Sequence, residues 1–504
     1  MLRTRQISGP PRLDSGRLPL RDVAIAAGIA AIAVVGGAFA VRSLQAAVAL
    51  ALLVLIAAIY SRSRRAGLIS LWTLWLLAPA LRRMLALAVE TPSADPLALL
   101  PFIATAGIAL VELRRTSMSR PARIAISLAT LGFLIGAPAG LAADPLAFGF
   151  GLTAYLAGVS ALVLGWGDRR EGGTLSLVKV LAIGLPPIAV YGVLQYLIPL
   201  TSWDSNWVET VDLASIGAPQ EGHIRIFATL NSPGTLGLVL AVAIVLGLGL
   251  RRRGSITLLA TLPLIAALAL TFVRSAWLAL VLGVIVYAAS VRGRTAGKLV
   301  AVIAICLAAL IVAGGSNPTT RAFTQRITSF GDLGQDESAQ DRLKFTQELL
   351  PTATSRPIGA GVGQAGLAAR LEEGNGQDSL TTTDNGYLAL LYQVGPFGFL
   401  LVAIAMGMSA VAAVRALGDS EDEASRMENA SILAALVVLL VAQAGGDMLY
   451  GISGAIFWYL AGVAFASRRR TASQPEGEAR QRSKIAPKPL LQSNALPART
   501  GPLP

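Results

Sequence analysis

The chain has 504 residues, of which 54% are hydrophobic and 14% charged. Soluble domains carry about a quarter charged residues, so this composition belongs to a membrane protein. The net charge of +13 does not mark a nucleic-acid binder, because the basic residues sit in short clusters between apolar runs and form no continuous face. A single cysteine, Cys306, and a single histidine, His223, exclude an intrachain disulfide and the His- and Cys-rich zinc sites.

Apolar stretches near the roughly 20 residues that span a bilayer recur along the whole chain. A basic N-terminus, 1–22, precedes spans at 23–41, 44–60, 67–83, 96–112, 123–141, 146–166 and 175–197, which form an N-terminal group over 23–197. Within the first span Ala38-Phe39-Ala40 resembles a cleavage site. Its apolar core is too long for a signal peptide and a second span follows at once, so it reads as a retained anchor. Pro79 and the pair Arg82-Arg83 blur the end of the third span. A first long loop, 198–234, leads to a central group over 235–314 with spans at 235–250, 255–272, 275–290 and 298–314. A second, larger loop, 315–383, precedes a C-terminal group over 384–467 with spans at 385–413, 430–447 and 450–467. The tail, 468–504, is basic, rich in Pro and Ser and without hydrophobic periodicity; it reads as a disordered cytoplasmic extension in contact with anionic lipid. The expected fold class is an all-α polytopic membrane protein of about 12–14 transmembrane helices.

The connections set the orientation. The segments at 61–65, 112–123, 167–170, 251–254, 291–298 and 467–470 are all basic, and with the N-terminus inside, alternation places every one in the cytoplasm. Both long loops, which are net acidic, then face outside. The Arg82-Arg83 pair is the one conflict, because the same scheme puts it outside.

Ionisable residues are scarce in the spans, whereas a transporter typically places them near the midplane. The polar information collects at the outer face, in three clusters. The first, "GHIRIFATLNSPGTLG" (222–237), runs from the first loop into a span, and alone it reads equally as a Ser-Pro-Gly turn before a helix. The second, "LTFVRSAWLALVLG" (270–283), puts Arg274 in a hairpin with almost no loop, where an arginine can also simply snorkel to headgroups. The third combines "RPIGAGVGQAG" (356–366) with "TTTDNGYLALL" (381–391). Its glycines resemble a phosphate cradle, but neither Gly-Lys-Ser/Thr nor a strand–turn–helix context follows. Asp384 and Asn385 fit plain capping of a helix start, and they equally fit chemistry at the membrane surface.

Taken together, the clusters resemble the O-antigen ligase and Wzy-type polymerase superfamily of bacterial membrane proteins over about residues 220–415. The resemblance rests on Arg225, Phe227 and Asn231 in the first cluster and on Arg274, Ser275 and Trp277 in the second. In the large loop it rests on Arg342, Pro357, Gly359 and Gly361, with Arg356 opening the glycine run, and at its end on Asn385, Tyr387, Leu388, Gly395 and Gly398. It implies a helical, GT-C-like ligase or polymerase fold with no metal and no cofactor. The implied activity is inverting glycosyl transfer at the outer leaflet of the bacterial inner membrane. The implied donor is an undecaprenyl-diphosphate-linked glycan, the acceptor is a glycan, lipid or protein, and membrane lipid and other polysaccharide-assembly proteins are partners. By the same resemblance Arg225 and Arg274 hold the diphosphate, and Asp384 stands where most members have the histidine that deprotonates or orients the acceptor. Asn385 belongs to that catalytic position, His223 is a substitute base, and Asn231, Arg342, Arg356, Gly359, Gly361 and Tyr387 support the site. The departure at Asp384 keeps a non-catalytic scaffold in view, and a transporter of a small solute or lipid-linked sugar is the rival from another class.

The orientation is directly testable. Cysteine labelling from outside intact cells is expected to reach positions in 198–234 and 315–383 and to miss both termini; labelling of either loop only from the cytoplasmic side would overturn the outer-face site.

Overall fold

The computed structural model describes residues 44–87, 95–211, 216–217, 220–249, 256–291, 346–347, 349–366, 368–369 and 385–467. The spans expected at 23–41 and 298–314, the termini 1–22 and 468–504, Arg342 and Asp384 lie outside the described residues. The helices are α1 (Leu44–Arg62), α2 (Arg64–Ala86), α3 (Pro96–Arg115), α4 (Arg120–Ile135), α5 (Ala137–Ala143), α6 (Pro145–Glu171), α7 (Ser176–Leu197), α8 (Ser202–Val211), α9 (Pro233–Gly249), α10 (Ile256–Leu270), α11 (Arg274–Ser290), α12 (Gly386–Gly418), α13 (Glu423–Ala442) and α14 (Gly451–Ala466).

The spans read from the sequence within these residues fall on helices, with two differences: 123–141 is divided between α4 and α5 at Gly136, and 430–447 runs past the end of α13 at Ala442 into the turn before α14. Among the described residues, eight helical stretches are long and apolar enough to cross a bilayer, and four apolar helices are shorter. The chain is a multi-pass, all-helical membrane protein. Several starts follow from local chemistry. Asp95-Pro96 and Asp144-Pro145 repeat one device, in which the Asp accepts from backbone N–H groups of the first turn and the Pro sits where no donor is needed.

The bundle has two chemically distinct ends. At the basic end Arg64 pairs with buried Glu112 and, at 2.6 Å, with Glu171, and Tyr60 also donates to Glu112. Nearby Asp168 accepts from the Ser176 backbone at 2.7 Å and from Tyr459, and Arg169 pairs with Glu428. A carboxylate in apolar surroundings is tolerated only with such partners. α14 is the most enclosed element and reaches α6 through glycines: a Cβ on Gly462 would lie 2.0 Å from the Leu162 carbonyl oxygen. Small residues let helices in a membrane approach backbone to backbone.

The opposite end carries the three polar clusters and explains the Arg82-Arg83 exception. Arg82 pairs with Asp95 at 2.6 Å. Arg83 is 1% exposed, pairs with Asp204 of α8 at 3.3 Å, donates to the Ala228 carbonyl and lies 4.8 Å over the Phe227 ring. Both guanidinium charges are matched by carboxylates inside the fold, so they do not act as loop charges that orient the chain. α8 was not expected from the sequence, where 198–234 read as loop throughout.

Candidate active site

The first cluster is held from three sides. Gln195 of α7 accepts from the Phe227 and Ala228 backbone N–H groups at 3.3 and 2.7 Å and donates to Asp204 at 2.7 Å. Asp204 in turn faces Arg83, whose guanidinium reaches the Ala228 carbonyl. Ala228, Asn231 and Phe272 are the non-glycine residues with left-handed backbone among those described. All three belong to the first two clusters, and strain of this kind survives only where the surroundings over-determine it. Arg225 is half-buried and ties the first cluster to the second, donating from Nε to the Thr271 carbonyl at 3.1 Å and from Nη2 to that of Phe272 at 3.4 Å. Two residues on, Arg274 opens α11. His223 is exposed, with Nδ1 3.0 Å from the Glu221 carbonyl, and does not line the cavity described below.

At α12 the cap is Asn385. Its side chain accepts from the Tyr387 and Leu388 N–H groups at 3.1 and 3.2 Å, so the capping role left open by the sequence belongs to the asparagine. Tyr387 donates to the Leu440 carbonyl at 2.7 Å, fixing α12 to α13.

The glycine run of the large loop is a docking device rather than a phosphate cradle. α12 is broken at Gly395, which has φ 68°, and Pro396 follows. Proline has no N–H to give the carbonyl four residues back. The loop supplies the missing donors: Ala360 N–H bonds the Tyr392 carbonyl at 2.7 Å and Gly361 N–H that of Gln393 at 3.0 Å. A Cβ on Gly359 would lie 2.4 Å from the Gln393 oxygen, so only glycine permits the approach. Arg356 is exposed, and its carbonyl accepts from Gly359.

The turn Gln443–Asp447, between α13 and α14, joins the clusters. A Cβ on Gly445 would lie 2.7 Å from Cβ of Ser275, the neighbour of Arg274. A Cβ on Gly386, the neighbour of Asn385, would lie 2.3 Å from the Gly446 oxygen and 2.7 Å from Asp447 Cα. Asp447 accepts from Tyr155, from Gln443 Nε2 at 3.5 Å and from the Leu449 N–H at 3.3 Å. Gln393 donates to Tyr155 at 3.0 Å and accepts from Gly363 N–H at 2.9 Å, so one polar chain runs from the glycine loop to Asp447. Burial pushes the Asp447 carboxyl above the ordinary carboxylate range, against the lowering effect of its donors. Asp447, Gln443, Tyr155 and Gln393 were not singled out from the sequence. The signal was a short polar turn, "QAGGD", which a hydropathy reading absorbs into the end of its span.

Asn231 and Asp447 both line a cavity of about 580 Å³ at this end of the bundle. Among the described residues no group of three or more His, Cys, Asp or Glu side chains is arranged to hold a metal ion.

The O-antigen ligase family profile matches residues 259–403. The matched segment covers the Arg274 hairpin, the large loop and the start of α12. It supports placing the chain in the O-antigen ligase and Wzy-type polymerase superfamily, with a ligase- or polymerase-type function in the broad sense. No curated protein matches the chain at a significant level.

The turn's tight seat can be tested by stability. Gly386→Ala is expected to cost about 1–3 kcal/mol, the range for overpacking a filled site. Gly407→Ala, where a Cβ meets nothing within 4 Å, is expected to be neutral or slightly stabilising, as alanine is in a helix. Equal melting temperatures for the two purified variants would contradict the close contact.

Proposed function

We propose that this chain, which carries an O-antigen ligase family segment, is a metal-independent, inverting glycosyltransferase of the outer leaflet of the bacterial cell membrane. It extends or transfers a glycan carried on undecaprenyl diphosphate. The observation that supports the reading is the seating of both Ser275 and Gly386 against one turn, Gln443–Asp447, which brings the Arg274 hairpin and the start of α12 at Asn385 to the same turn.

The chemistry asked of these residues is modest. The acceptor hydroxyl oxygen forms a bond to the anomeric carbon, the bond from that carbon to the diphosphate oxygen breaks, and the hydroxyl proton passes to a base. The diphosphate leaves on its lipid with added negative charge, which the planar donors of Arg274 stabilise, together with the guanidinium N–H groups of Arg225 that do not serve the Thr271 and Phe272 carbonyls. The lipid holds that charge just above the hydrocarbon, where helix-end arginines reach. Asp384 is the proposed base, because inverting glycosidases use a carboxylate in this role and the residue stands next to Asn385 in the chain. Asp447, held above the ordinary carboxylate range by burial, is the second carboxylate at the site.

The test is turnover, by purified protein, of lipid-linked oligosaccharide extracted from the producing bacterium, with products sized by mass spectrometry. Wild type is expected to lengthen or transfer the glycan, in EDTA as well as without it. Arg274→Ala is expected to abolish turnover, with poor rescue by Lys, which lacks the fork. Asp384→Asn is expected to lose at least about 10²-fold, the lower range for general-base catalysis, and Asp384→His to retain part of the activity. Wild-type rates in folded Asp384→Asn would refute the catalytic role.

A further inference from the structure

The cavity beside Asp447 has no part in the steps above. It lies between the last turns of α2 and the first turns of α3, α6 and α14, and the entry to α9 closes it. Its volume of about 580 Å³ falls within the range of small-molecule sites, roughly 300–1,000 Å³. Four rings form one wall: Trp75 lies 4.9 Å from Phe102, and Phe102, Phe150 and Tyr450 are mutually 6.1–6.2 Å apart. Such a surface suits the C–H face of a pyranose. Tyr450 and Asn231 line the cavity, and the buried Tyr450 hydroxyl and Asn231 Oδ1 make no hydrogen bond within the protein. Buried polar atoms are normally paired, so both call for a ligand with hydroxyl groups.

The charge of the lining decides between a sugar and a diphosphate. The one guanidinium, Arg82, is matched by Asp95 at 2.6 Å, and Asp447 adds a second carboxylate. Helix N-termini that open here favour anions; those of α3 and α6 are capped by Asp95 and Asp144, and that of α14, which has no side-chain cap, faces the Asp447 carboxylate on the same lining. The balance disfavours a diphosphate and leaves carboxylate oxygens to accept from hydroxyls. We infer that this cavity is a pocket for a sugar unit of the acceptor glycan, distinct from the place where the arginines hold the donor's diphosphate. The inference rests on the glycosyl-transfer reading for the word acceptor. Because Asp447 belongs both to the pocket and to the turn against Gly386, a sugar bound there lies beside the start of α12.

Gly149 lines the cavity, and a Cβ there meets nothing within 4 Å, so Gly149→Phe fills the space without a clash. Gly407→Phe places the same side chain at an exposed position of α12 and is the control. The probes are undecaprenyl diphosphate and the oligosaccharide released by mild acid from the extracted lipid carrier, each titrated against full-length protein in nanodiscs. Gly149→Phe is expected to lose at least tenfold in oligosaccharide affinity and to keep carrier affinity within about twofold; Gly407→Phe is expected to keep both. Tyr450→Phe, which removes a hydroxyl with no partner in the protein, is expected to lose about fivefold for the oligosaccharide at unchanged melting temperature, and it decides the matter should Gly149→Phe misfold. Loss of carrier affinity instead, or no change for either probe, would overturn the pocket. Wild-type protein that binds the oligosaccharide in this Gly149-sensitive way yet transfers nothing would sink the enzymatic reading and leave the pocket standing.

Discussion

The site depends on one steric constraint, the backbone contact of the turn Gln443–Asp447 with two helix starts. Gly445 meets Ser275 and Gly386 meets Gly446 and Asp447 at separations that leave no room for a Cβ. Close-packed interiors resist even one extra methylene, so a seat of this kind sets the spacing of the hairpin, the α12 cap and Asp447 more tightly than flexible side chains could. The glycine loop repeats the device about two turns along α12, where Gly359 packs on the Gln393 carbonyl and Ala360 donates to the Tyr392 carbonyl that Pro396 cannot serve. A break in a membrane helix is tolerated where protein satisfies the freed groups, and here that protein is the large loop itself.

A second constraint is electrostatic. Arg83 and Asp204 are both fully buried, and separating either from the other would leave an uncompensated charge in a poor dielectric. Their pairing fixes α8 to α2. Through Gln195 and the Ala228 carbonyl it also sets the left-handed turn that ends at Asn231. Arg225 then carries that order to the hairpin before Arg274. An arginine pair that departs from the charge rule for loops thus becomes part of the scaffold of the site.

Much of the fold was legible because bilayer thickness imposes a length on every span, and apolar runs of that length are hard to mistake. The first two clusters were legible as residues because arginines and a Ser-Pro-Gly turn stand out against apolar flanks. What joins them was not. Asp447 meets Tyr155 across nearly three hundred positions, and no local pattern announces such a contact. α8 was hidden because only one side of it needs to be apolar. The capping question at Asp384-Asn385 was undecidable from sequence, since both residues cap well; the geometry assigns the cap to Asn385. The glycines of 359–363 suggested a ligand, and the structure gives them a packing reason instead.

The central claim is that the Arg274 hairpin and the Asp447 turn act in one transfer step as one site. A double-mutant cycle on transfer rate, with Arg274→Lys and Asp447→Asn, measures this directly. Groups that work as a unit lose far less together than the product of their separate losses, and the account predicts a double variant about as slow as the slower single one. Losses that multiply, as they do for independent positions, would contradict it.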